Sequence, residues 1–145
     1  MHHRFHPQPK GAAALLVALA LSLTAAPALA QSQTAESRST QSSSERGVTI
    51  KVTPKAVAAD EPRWLFNVVL DTHSGALSDD LVKATTLVTS DGRELKPTGW
   101  TGAAPGGHHR EGVLEFSVPA PWPSAIELKL ERAGESAPRF FRWQL

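Results

Sequence analysis

The feature that most constrains this chain is a strict alternation of apolar and polar residues, repeated in short runs through residues 47–145. Val48, Ile50 and Val52 alternate with Thr49 and Lys51, and Trp64, Phe66, Val68 and Leu70 share one face of the next run. Leu114, Phe116 and Val118 repeat the pattern, as do Ile126, Leu128 and Leu130, and finally Phe141, Trp143 and Leu145. A period of two places such residues on one face of a β-strand, and no segment sustains a helical period over three turns. Residues 81–89 are apolar and β-branched around Leu87 and Val88. Ser90-Asp91-Gly92 then supplies a tight turn into a return strand over residues 93–98, because Gly92 accepts a positive φ. The expected strands are residues 48–52, 64–70, 81–89, 93–98, 113–118, 126–131 and 141–145. Their number and spacing predict an all-β fold, an antiparallel immunoglobulin-like sandwich of about seven strands. Residues 78–83 offer one helical turn with Ser78 as its cap. Trp64, Phe66, Phe116 and Trp143 supply the aromatic part of the core.

Two segments of different character precede this domain. Residues 1–10 carry Arg4 and Lys10 and no acid, residues 11–23 are an apolar run, and Ala28-Leu29-Ala30 forms a small-x-small site. That three-part order is the pattern of a secretory signal peptide over residues 1–30. The apolar run is shorter than the roughly 20 residues that span a bilayer. The expectation is therefore a periplasmic or secreted protein with no membrane span after cleavage. Residues 31–46, QSQTAESRSTQSSSER, hold no large apolar residue and read as a disordered polar linker. The expected organisation is a signal peptide at 1–30, a linker at 31–46 and a sandwich domain at 47–145.

Composition narrows the chemistry. The chain has no Cys, which excludes disulfides, thiolate metal sites and cysteine nucleophiles. Its 15 Lys and Arg against 14 Asp and Glu leave no basic excess for nucleic acid. Phosphate-binding loops, dinucleotide fingerprints, H-E-x-x-H and G-x-S-x-G are all absent from the sequence. The expected function is a non-enzymatic binding or structural accessory module, with an envelope protein or a small ligand as partner.

Strand parity singles out one cluster. In an antiparallel fold the loops after the second and fourth expected strands share a pole, and the loop at residues 132–138 joins them. The first two carry His73, His108 and His109, the only histidines downstream of residue 6, together with Asp71, Asp79, Asp80 and Arg110. Two readings stand side by side. Asp71, His73, His108 and His109 are ligand types suited to Zn²⁺ or Cu²⁺, which makes a divalent-metal protein the alternative function. The other reading is a loop lock, in which Asp71 orients the His73 ring and Arg110 pairs with a carboxylate. Trp100 and Trp122 fall in expected loops and read either as lids over the ends of the core or as recognition anchors. Pro119, Pro121 and Pro123 make a stiff connector at the pole opposite the histidines.

Three stretches, WLFNVVLDTHS at residues 64–74, WTGAAPGGHHREGVL at 100–114 and FFRWQL at 140–145, resemble a group of small exported bacterial domains without an assigned biochemical function. The resemblance covers about the whole of residues 47–145. It implies an immunoglobulin-like sandwich and an envelope location, and it supplies no catalytic residues.

Overall fold

The computed structural model describes residues 38–145, so the expected signal peptide at 1–30 and the first part of the expected linker lie outside the described residues. The described chain is an all-β sandwich of two antiparallel sheets. One sheet has the order β1 (Gln41–Glu45), β2 (Val48–Ala56), β3 (Arg63–Thr72), β7 (His109–Ser117) and β6 (Gly99–Gly102). The other has the order β5 (Glu94–Leu95), β4 (Thr85–Thr89), β8 (Ala125–Leu130) and β9 (Arg139–Gln144). The alternating residues of β2, β3, β7, β8 and β9 face inward and form one core. Phe66 meets Phe116 edge-on at 5.6 Å and reaches across the sandwich to Trp143 at 5.7 Å.

Each expected strand has a counterpart, with four local differences. Gln41–Glu45, assigned to the polar linker, is a strand paired in register with β2, from Gln41 opposite Val52 to Glu45 opposite Val48. Residues 81–89 begin as one helical turn, α1 (Leu81–Ala84), before β4. The cap of α1 is Asp80 and not Ser78: the Asp80 carboxylate accepts the Lys83 amide at 3.3 Å. The return strand after Gly92 stops at Leu95, because Pro97 has no amide to continue the ladder. The chain then crosses to the other sheet, where the Thr98 amide donates to the Glu115 carbonyl at 2.7 Å. Finally, residues 99–112, expected as loop, contain β6 and the start of β7. Gly102 and Gly112 are directly paired there, and a Cβ on Gly112 would lie 2.6 Å from the Trp100 ring. Glycine lets the indole lie flat against the sheet, so Trp100 is a strand residue covering the core edge.

The crossing between β5 and β6 closes one side of the sandwich. On the other side β1 bridges the sheets. The Gln41 side-chain amide accepts from the Arg142 amide of β9 at 2.8 Å and donates to the Arg142 carbonyl. The Trp143 indole donates to the Ser39 carbonyl at 2.8 Å.

Candidate functional site

The two loops singled out by parity do meet at one pole, and backbone bonds join them. The Thr72 amide donates to the His108 carbonyl at 2.8 Å. Leu77 donates to Gly107 at 3.0 Å and accepts from Gly106 at 2.9 Å, which pins the tip of one loop to the other. The positive φ of Gly106 (121°) and Gly107 (69°) makes that close approach feasible. The Leu77 side chain is fully buried and anchors the loop in the core.

The expected residues take different roles from those anticipated. Asp71 orients His109, not His73: the two are cross-strand partners on β3 and β7, with Nδ1 2.6 Å from Oδ1. β3 ends at Thr72, so Asp71 and His73 do not continue on one strand face. His73 and His108 are exposed. His109 also lies 3.9 Å from the Glu111 carboxylate, which accepts from Asn67 at 3.2 Å. Among the described residues no group of three or more His, Asp or Glu side chains comes together around one point.

Arg110 does not pair with a carboxylate. It is buried in phase with Gly112, Leu114 and Phe116. Its guanidinium donates to the carbonyls of Leu77 (3.1 Å) and Asp79 (2.7 Å) and lies 5.7 Å from the centre of the Trp100 ring. The Asp79 carboxylate is already engaged by Arg132, through Nε at 3.0 Å and Nη2 at 2.9 Å. Carbonyl dipoles and an aromatic face take the place of the missing counter-ion.

Behind this cluster lies an ion network that spacing alone did not reveal. Arg132 bridges Asp79 and Glu135, and Glu135 pairs with Arg139 through both its oxygens. Arg139 has no exposed side-chain surface and also donates to the carbonyls of Ser43, Glu45 and Val48. It thereby ties β9 to the β1–β2 hairpin. The hydrogen bond from Arg139, reinforced by the charges of both arginines, holds the Glu135 carboxyl below its ordinary value despite burial. One signal was present in the sequence. Arg139 is in phase with Phe141 and Trp143, and Arg110 with Leu114 and Phe116, so the period of two points both inward.

The opposite pole is built differently. Arg93 clamps the proline connector by donating to the carbonyls of Pro119 (2.7 Å) and Pro121 (2.6 Å). Its other partner, Asp91, is held below the usual carboxylate range chiefly by the Thr89 hydroxyl, with Arg93 adding to the effect. The Trp64 indole donates to the Ala58 carbonyl at 3.0 Å. Between these elements lies a cavity of about 350 Å³, walled by Val57, Trp64, Trp122, Pro123 and Leu145, with Arg38 at its margin.

No protein-family model matches the chain, and comparison with curated proteins and with solved structures returns no match.

Proposed function

We propose that the protein is an exported, non-enzymatic β-sandwich serving as a periplasmic binding or structural accessory module, and that it binds through its tryptophan pole. Support for export is the pattern of residues 1–30. The binding reading is carried by the cavity. Its volume lies in the range of small-molecule sites, and its walls are mostly apolar and include two prolines, Pro54 and Pro123. The histidine pole, by contrast, engages most of its buried charge internally, through the Asp79–Arg132–Glu135–Arg139 chain and the carbonyls that Arg110 meets, with the Arg110 Nε left unpartnered. The occupant is a small amphiphile, with its alkyl or aromatic body against Trp122 and Leu145 and an anionic end at Arg38.

The test is a tryptophan-fluorescence titration with decanoate and, separately, with decyltrimethylammonium. A saturable change is expected with decanoate, weakened several-fold by Arg38→Ala and abolished by Trp122→Ala, with weaker binding of the cation. No saturable change with either amphiphile would sink the reading. The rival reading, a Zn²⁺ or Cu²⁺ protein using Asp71, His73, His108 and His109, demands a metal-dependent rise in melting temperature that His109→Ala removes.

A further inference from the structure

We propose that β1 is an exchangeable strand whose partner is a second copy of this chain: the Gln41–Glu45 strand of one molecule pairs with β2 of another and closes the seam between its sheets.

Three independent observations converge on this. First, β1 adds nothing to the core. Its sequence is QSSSE, none of its residues is buried, and the core begins at Val48. The apolar core therefore loses no member when β1 leaves, while Arg139 and Trp143 lose partners that only another β1 segment restores. Second, its receptor is specific for its sequence and backbone. The register with β2 is complete over five residues. Arg139 aims its guanidinium at the carbonyls of Ser43 and Glu45, and the Arg142 backbone is read by the Gln41 side chain. A second copy supplies all these groups unchanged, so the exchanged form reproduces every contact of the closed one.

Third, the hinge is strained in the closed form. β1 and β2 are joined by Arg46-Gly47 alone, and both have positive φ, at 50° and 76°. That is the signature of a type I′ turn, whose first central position favours Asn, Asp or Gly. Arg46 is the only non-glycine with positive φ among the described residues. A short hinge held in a conformation its residue resists favours opening, since an extended Arg46 relieves the strain while β1 finds the same site elsewhere. The inference stands apart from the cavity reading: a molecule that binds no amphiphile can still exchange β1.

Ser42 and Lys51 are exposed, face each other across β1 and β2, and lie in a chain without cysteine. The test mixes two purified single variants, Ser42→Cys and Lys51→Cys, carrying tags of different mass, under slow oxidation at rising concentration. Exchange predicts that the disulfide hybrid of the two variants exceeds, several-fold, the two homodimers together, beyond the statistical share that random pairing of an equimolar mixture gives. It also predicts that adding Arg46→Gly to both chains lowers the hybrid yield several-fold by relaxing the closed turn. Hybrids at only the statistical share, equal to the two homodimers together, would overturn the proposal. Hybrid yields unaffected by Arg46→Gly would equally overturn it, because the hinge would not be the driving element.

Discussion

The two poles of the sandwich solve the same problem, covering the ends of one core, with opposite means. At the histidine pole Asp79, Arg132, Glu135 and Arg139 run as a chain of alternating charges, and Arg110 fills the space beneath Leu77 and Asp79. At the other pole Trp64, Trp122 and the prolines stand around space that no side chain fills. Buried charge demands that every partner be in place, because a guanidinium or carboxylate stranded in low dielectric costs several kcal/mol. Apolar walls make no such demand and tolerate an empty volume. A pole closed by ions is therefore committed to one arrangement, whereas a pole closed by aromatics retains room for a guest.

The sharpest way to break this contrast is Arg139→Ala. It leaves Glu135 with Arg132 as its arginine partner and removes the guanidinium that ties the β1–β2 hairpin to β9, and should cost about 3–5 kcal/mol in urea denaturation. A loss below about 1 kcal/mol, the scale of exposed ion pairs, would mean the network is as weak as a surface one. A smaller effect is expected from acid. Glu135 is held below its ordinary value of 4.5, so its contribution is complete above that value and is lost as the pH falls through the depressed one. Melting temperatures recorded from pH 7 downward should drop in that acid range, and Glu135→Gln should flatten the drop while lowering stability at neutral pH. An unaltered acid limb in the variant would assign the drop to other carboxylates. The smallest effect belongs to His109→Ala. Its pair with Asp71 is half exposed, at 59% and 44%, so the loss should stay within about 1 kcal/mol. A larger loss would place part of the lock on the outer face of the sheet.

How much of this could be read in advance depends on which physical effect fixes each element. β2, β3, β7, β8 and β9 were legible because burying Val52, Phe66, Leu114, Leu128 or Phe141 leaves a period of two in the sequence. β1 left no such trace: what makes QSSSE a strand is the backbone of β2 and the guanidinium of Arg139, roughly a hundred residues away. β6 was hidden by its glycines, which read as a loop, whereas Gly102 and the facing Gly112 of β7 make room for the Trp100 ring. At the histidine pole, parity correctly joined the loops, since direction of travel is a property of the chain. It assigned the wrong partner to Asp71, because the choice of His109 over His73 is made by the ladder between β3 and β7. The cavity was illegible altogether, since empty volume is a property of packing and not of any residue.

The attachment of β1 also bears on the order in which the molecule is completed. β1 and β2 meet through a two-residue turn and can pair as soon as both exist. Their fixation is another matter. Gln41 reads the backbone of Arg142, 101 positions later, and Ser43 waits for Arg139, 96 positions later. Contacts of such long range form late, because the entropy of closing the intervening chain must be met first. Since synthesis runs from the N-terminus, the first of the described strands to be made is the last to be secured, and it stays free to engage a neighbour until β9 arrives.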